Sequence, residues 1–246
     1  MDLLKSRETA YIGAVHVVAK PVTRDCDIRI VLLRELRKQF PHPADDLILQ
    51  EFRCNGSRID VAVINGSLHG YEIKSDSDST FRLSKQVVDY SGVFDFVTLV
   101  CGRTLLRSAR VIAPEWWGIN LAIFDGSKVE VTEIRKPQQN PNQTPEALAR
   151  MLWKPEVLYC LRRNGHTTVT SRSSVQQIRK EAALRLDVKT LADAARQAIK
   201  ARGVYESGMQ SVPDDDSCTI ESTGLADHCS ENLAWLLSQL SPYPQS

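Results

Sequence analysis

An Asn-Gly pair at residues 65–66 lies between two short apolar runs, Arg58-Ile-Asp-Val-Ala-Val-Ile64 and Gly70-Tyr-Glu-Ile-Lys74. It is the strongest short-range hairpin signal a chain can carry, because tight hairpin turns need the positive φ that Gly and Asn accept at little cost. A strand, the turn Asn65-Gly66-Ser67 and a returning strand are therefore expected. Side chains alternate along a strand, so Glu72 and Lys74 point to one face. Folding the hairpin back also brings Asp60 toward them. Two carboxylates and an ammonium would then share a patch at one end of a sheet.

Such a patch suits a hard divalent cation. Mg²⁺ takes a few carboxylate oxygens, keeps several of its waters and leaves room for a phosphate oxygen. The cation can activate water and neutralise charge developing on phosphorus, while a lysine orients that water or stabilises the transition state. The plain alternative is an exposed Glu/Lys strand pair of modest cross-strand value.

The flanking segments frame the hairpin. Asp25 to Phe40 places Ile28, Val31, Leu32, Leu36 and Phe40 at helical spacing, and Pro41 and Pro43 stop it. Leu47–Phe52 reads as a strand entering the hairpin, Arg82–Tyr90 as a helix and Phe94–Cys101 as a buried strand. A last short strand, Leu121–Phe124, follows Trp116-Trp117-Gly118, whose indoles are expected to cover the sheet, with base stacking as the alternative.

The order helix, three-stranded meander, helix, strand, with Asp60 and Glu72-x-Lys74, resembles the PD-(D/E)XK nuclease superfamily. The resemblance implies a restriction-endonuclease-like α/β core followed by a C-terminal α-helical region. In it Asp60 and Glu72 match the metal-binding acids, Lys74 the catalytic lysine, and the carbonyl of Ile73 a further ligand. Gln86-x-x-x-Tyr90 looks like the Gln-x-x-x-Tyr helix of RecB-like members, with Gln86 contacting the site and Tyr90 packing beside it or touching a phosphate. Residues four apart share a helix face, which makes that pairing sensible. The chain is also similar to a small, largely uncharacterised bacterial family of this superfamily. That likeness runs through Arg58-Ile-Asp-Val-Ala-Val, His69-Gly-Tyr-Glu-Ile-Lys-Ser-Asp76, Arg82-Leu, Gln86-Val, Phe94-Asp and Pro114-Glu-Trp-Trp-Gly118. No proline precedes Asp60, a departure shared by many members.

Other charged residues compete for secondary roles. Glu51, on the strand before Asp60, could complete a second metal position. Glu35 sits at the edge of the first helix's apolar face, where many members of the superfamily place an acid; its alternative is a solvated neighbourhood of Arg34, Arg37 and Lys38. Asp76 and Asp78 suit a loop shaped by local hydrogen bonds. Arg82 is a candidate phosphate contact.

Charge is distributed unevenly. Residues 150–202 carry twelve Lys or Arg against four acids, residues 1–149 carry nineteen of each, and the chain beyond 203 has seven acids and no Lys or Arg. A basic segment beside a nuclease core supplies phosphate contacts that do not depend on sequence. Four helices are expected there: Pro145–Trp153 with Thr144 as N-cap, Pro155–Arg163 closed by Asn164-Gly165, Ser174–Leu186, and Val188–Arg202. Arg179, Lys180, Arg196, Lys200 and Arg202 are the nucleic-acid contacts expected from them, against the alternative of a solvated helix face.

The expected division is a nuclease core at 1–135, a linker at 136–145, a basic helical region at 146–203, and an acidic flexible tail at 204–246 with a short helix Ser230–Leu240. No apolar run approaches the about 18 residues a membrane helix needs, and no signal peptide is evident, so the cytoplasm is expected. Six cysteines show no C-x-x-C pair, and Cys218 with His228 and Cys229 lacks a fourth ligand. His16, His42, His69 and His166 fall singly, and none makes a general base.

These readings lead to a Mg²⁺-dependent deoxyribonuclease, with Mn²⁺ able to substitute, in bacterial repair, restriction, phage defence or a mobile element. DNA is the expected partner and no membrane is; a homodimer or a partner protein stays open. A non-cleaving DNA-binding subunit of a larger complex is the alternative, and a transcription factor using only the basic helices ranks last.

Overall fold

A computed structural model describes residues 22–42 and 45–209, with side chains through residue 203. Pro43, the terminal helix expected at Ser230–Leu240 and the Cys218, His228, Cys229 group lie outside the described residues.

The chain runs α1 (Asp25–Gln39), β1 (Leu47–Cys54), β2 (Ser57–Ile64), β3 (Leu68–Lys74), α2 (Leu83–Ser91), β4 (Phe96–Gly102), α3 (Leu106–Ile112), β5 (Gly118–Phe124) and β6 (Val129–Arg135). Four helices follow: α4 (Pro145–Met151), α5 (Lys154–Arg163), α6 (Val175–Arg185) and α7 (Val188–Met209). The six strands form one sheet in sequence order. β1–β2, β2–β3 and β5–β6 are antiparallel, while β3–β4 and β4–β5 are parallel. Both parallel pairs are bridged by a helix, as a crossover requires. The protein is thus mixed α/β.

Local chemistry explains most element ends. In α1 the acids Asp25 and Asp27 sit in the first turn and Arg37 and Lys38 in the last, the polarity a helix dipole favours. Asn65-Gly66-Ser67 joins β2 to β3 as expected, with Ile64 paired to Leu68. A second Asn-Gly pair, Asn55-Gly56, closes β1–β2 with both residues at positive φ (45° and 97°), the requirement of a two-residue hairpin. Thr144 caps α4, accepting from the Ala147 N–H at 3.3 Å with Pro145 in the first turn. Ser174 and Gln177 form a capping box on α6. Neither α3 nor β6 was expected.

Two apolar layers sandwich the sheet. On one face α1 buries Ile28, Leu32, Leu33 and Leu36 against Val61, Val63, Tyr71, Ile73 and Val100. On the other, α2 and α4–α7 join Ala62, Ile64, Leu99 and Ile119 in one continuous cluster, and Trp117 is fully buried there with its ring 6.1 Å from that of Tyr90. The C-terminal helices therefore share the sheet's own core. Residues 136–145, expected as a linker, are a tied strap. Asn140 is buried and donates to the carbonyls of Ser91 and Phe94, both at 2.7 Å, and Gln143 donates to Val93 O at 2.7 Å.

His69 belongs to the α1 face. It stacks on Tyr71 at 4.2 Å and its Nε2 lies 2.9 Å from Thr98 Oγ1, so it is structural and not a site base. Burial lowers its pKa from 6.5 to about 4. Between those values the unfolded chain binds a proton that the folded chain refuses, so this contribution is complete above 6.5 and is lost as pH falls toward 4. Urea midpoints at roughly pH 7 and pH 4.5 should show a loss of about 1–2 kcal/mol that His69→Gln removes, reduced from the full linkage value because the ring is part-exposed. An unchanged acid slope in the variant would exclude His69 as its source.

Candidate active site at the β1–β3 end of the sheet

The site begins with a break in alternation. Leu47 and Leu49 of β1 pack into the larger cluster, so Glu51 should follow them and Phe52 should face away; Phe52 joins the cluster instead. On β2, Ala62 and Ile64 belong to that cluster and so does Ile59, so this strand switches face at Asp60. The register keeps step across the switch, with Gln50 opposite Val61 and Phe52 opposite Ile59. No residue is inserted. The turn is taken by Glu51 itself, at φ 53°, a left-handed conformation that costs a non-glycine residue on the order of 1 kcal/mol or more.

This paired kink sends Glu51 and Asp60 to the same cation, Arg29 of α1. Arg29 NH2 lies 2.7 Å from Asp60 Oδ1, NH1 lies 3.0 Å from Glu51 Oε1, and Nε lies 3.1 Å from Asp25 Oδ1. NH1 also donates to the Asp60 carbonyl at 3.1 Å. Arg58 holds the other Glu51 oxygen at 2.7 Å. Burial works against the Arg29 charge, yet the bonds to Asp25 and Asp60 outweigh it and keep the guanidinium charged beyond its ordinary value. The second Asp60 oxygen accepts the Ile73 N–H at 2.7 Å. Burial nonetheless raises the Asp60 pKa, with Ile73 and Arg29 opposing the rise.

Glu72 is 2% exposed and has three donors. It is ion-paired with Lys74, accepts from Gln86 Nε2 at 2.6 Å on Oε1, and accepts from Tyr90 OH at 2.7 Å on Oε2. Burial raises its pKa against the pull of Lys74. Gln86 and Tyr90 thus reach Glu72 from one face of α2, the four-residue spacing of the sequence made into a contact. Gln86 Oε1 is buried with no hydrogen-bond partner. Lys74 Nζ also approaches the Ile73 carbonyl at 3.4 Å.

Asp60, Glu72, Ile73, Lys74, Gln86, Glu51 and Arg82 all line one open cavity of about 1240 Å³. Its walls carry nine Lys or Arg against five acids. The acidic end of the sheet therefore opens into a basic surround, a setting that attracts polyanions. Three further acids have other partners, and of these Asp78 alone lines the cavity. Glu35 is exposed, paired with Arg34 at 3.1 Å and Lys38 at 3.0 Å, and does not line the cavity. Asp78 accepts from Ser75 N and Oγ, and Asp76 binds Thr23 and Thr104, the loop-shaping roles expected of them.

The C-terminal basic residues divide. Arg179 and Arg202 line the cavity, though each also ties helices together: Arg179 donates to Leu152 O at 2.9 Å and Arg202 to Met151 O at 3.1 Å. Lys180 and Lys200 lie outside the cavity wall. Arg196 is not a surface cation; it is ion-paired with Asp95 at 2.8 Å and with Asp193. Sequence reasoning missed Arg29, Arg53, Arg58, Lys85, Arg150 and Trp153, all in the cavity wall. Arg29 could have been suspected from Asp25 four residues earlier, since that spacing pairs opposite charges on a helix.

A buried carboxylate (Glu72), a half-buried one (Asp60) and a carbonyl are hard oxygen donors of the kind Mg²⁺ takes, and Gln86 Oε1 is a buried acceptor with room in its bonding for a water's donor. The residues fit such an ion in kind. As they stand, both carboxylates are engaged by protein donors, and among the described residues no group of three His, Cys, Asp or Glu is arranged to hold a metal.

Fold and site together define a mixed α/β protein with a charged, basic-walled cavity at one end of its sheet. The family described as Bacteriophage P4 protein cII matches residues 20–211, and the chain belongs to that family. Protein cII of Enterobacteria phage P4 is 38% identical over 79 residues, 32% of this chain and 30% of that protein, so the match spans less than a third of the relative. A solved structure of a protein of unknown function from Silicibacter pomeroyi aligns at 16% identity and a TM-score of 0.33, over 77% of this chain and 94% of that one. No helix among the described residues is long and apolar enough to cross a membrane.

Proposed function

We propose that this protein is a metal-dependent nuclease that hydrolyses DNA phosphodiester bonds, built on a PD-(D/E)XK core. One observation carries the reading: Asp60 and Glu72-x-Lys74, drawn from two strands, converge with Gln86 at the end of a sheet that faces a basic cavity. The order α1, β1–β3, α2, β4 supports the same core. Asp60, Glu72 and the Ile73 carbonyl would hold Mg²⁺ or Mn²⁺, with Glu51 a further acid for a second position. The ion, when bound, supplies Lewis-acid stabilisation of the phosphate and a more acidic water.

The chain's own groups have separable tasks. Tyr90 and Gln86 fix the Glu72 carboxylate, so that its oxygens do not have to be ordered when substrate arrives. Lys74, held by Glu72, is the donor that orients the attacking water and meets charge on the phosphate. Arg58, Arg82 and Lys85 offer the phosphate backbone contacts that do not depend on sequence. The setting would be DNA repair, restriction, phage defence or a mobile element.

Purified protein should nick supercoiled plasmid with Mg²⁺ or Mn²⁺ and not with EDTA. Asp60→Asn, which keeps an oxygen for the Ile73 N–H, and Lys74→Met should each lower the rate by about a thousandfold. A second reading, a DNA-binding subunit that does not cleave, draws on the Arg29 contacts that close Asp60 and Glu51. Salt-sensitive DNA binding with no metal-dependent cleavage in any variant would put that reading first.

A further inference from the structure

Three carboxylates, Asp25, Glu51 and Asp60, converge on one guanidinium, and the backbone is bent to make them do so. Arg29 is only 18% exposed and comes from α1, on the opposite layer from Gln86 and Tyr90. Its NH2 and the Ile73 N–H take the two Asp60 oxygens between them. A cation already sits where Asp60 would hold another. Electrostatics favours a charge there in any state, because removing it would leave Asp60 with only the Ile73 N–H and Glu51 with only the exposed Arg58.

We propose that Arg29 is an internal counter-ion that competes with the divalent metal for Asp60 and Glu51. In the metal-free protein it neutralises the acids and keeps the kink at Glu51 in place. When a divalent ion binds, Arg29 leaves Asp60, and its guanidinium, already in the cavity wall, becomes available to a substrate phosphate. Metal affinity is thereby set by a residue that is not a ligand. Towards the metal Arg29 acts only through Asp60 and Glu51, towards the phosphate it is a binding group, and the inference rests on the metal reading of the site given above.

The test reads metal binding and not cleavage. Mn²⁺ dissociation constants would be measured by electron paramagnetic resonance for wild type, Arg29→Gln, Asp60→Asn and the double variant, with circular dichroism to verify folding. Arg29→Gln should bind Mn²⁺ about tenfold tighter or more, a shift of about 1.4 kcal/mol, and Asp60→Asn should cancel the gain. Arg29→Lys, which keeps a charge but loses the fork, should fall between wild type and Arg29→Gln and serves if the glutamine variant folds poorly. A residue needed only to hold α1 in place would weaken binding on removal, so tightening separates the two roles. Equal or weaker Mn²⁺ binding by Arg29→Gln, with wild-type binding still lost in Asp60→Asn, overturns the competition and leaves the metal site standing. Absence of any Asp60-dependent Mn²⁺ binding overturns both.

Discussion

Lys74→Met alone should lower the unfolding free energy by about 3 kcal/mol at neutral pH, and Glu72→Gln alone by a similar amount, whereas the double variant should lie within about 1 kcal/mol of wild type. The side chains of Glu72 and Lys74 are 2% and 8% exposed, so neither charge has water to fall back on when its partner is removed. Burial already raises the Glu72 pKa against the pull of Lys74, and losing that lysine raises it further. The folded single variant then binds a proton more readily than the unfolded chain does. Its deficit should therefore shrink as pH falls and Glu72 becomes neutral, retaining its bonds from Gln86 and Tyr90. In the double variant no charge is stranded and the apolar methionine fills the lysine's path. Denaturant midpoints of the four proteins give the coupling directly. Single variants within about 0.5 kcal/mol of wild type would mean that the pair is solvated, against its burial.

Asp95→Ala should be comparably damaging, at about 3 kcal/mol. Asp95 is buried between β3, the strap and α7: its Oδ2 accepts the Leu68 N–H at 2.7 Å and Arg196 NH1 at 2.8 Å, and its Oδ1 accepts Gln143 at 3.2 Å. Truncation orphans the Leu68 N–H, leaves Gln143 with Val93 O alone, and takes from Arg196, which is 16% exposed, the more buried of its two carboxylates. The same contacts give Arg196→Met a distinctive signature. It should cost stability while leaving the salt dependence of the proposed DNA binding as it was. Arg58→Ala and Lys85→Ala, in the exposed cavity wall, should each reduce the slope of log affinity against log salt by about 0.9 with little loss of stability. A reduced slope in Arg196→Met would return that residue to the interface.

These contrasts show where the sequence was legible. Repeating local signals were read correctly: Ile28, Leu32 and Leu36 mark the buried stripe of α1, Asn65-Gly66 marks a turn, and Thr144-Pro145 marks a helix start. The contact of Gln86 with Glu72 follows once α2 is placed beside β3. Asn55-Gly56 carries the same turn chemistry as Asn65-Gly66, and Val129-Glu-Val-Thr-Glu-Ile-Arg135 alternates as an edge strand should, so both features lie within reach of local pattern although neither is among the expectations above. Other features were beyond local pattern. Arg179 and Arg196 are alike in type and segment, and only packing decides that one reaches the cavity while the other meets Asp95. Arg29 comes 31 residues before Asp60, and no short-range rule pairs them. For Glu35 the sequence leaves a site acid and a solvated neighbour of Arg34 and Lys38 both open, and the helix's rotation decides for the second.

The bend shared by Glu51 and Asp60 also bears on redesign. Any effort to idealise this sheet, by regularising β1 or trading Glu51 for a residue content in an extended backbone, would restore the strict in-and-out pattern that designed strands use. The reward would be a better-behaved strand. The cost would be the direction in which Asp60 points, because its strand turns over at the same step. A stabilised scaffold obtained in that way would be a sounder sheet with its acids dispersed, and the irregularity is the part of the backbone an engineer should leave alone.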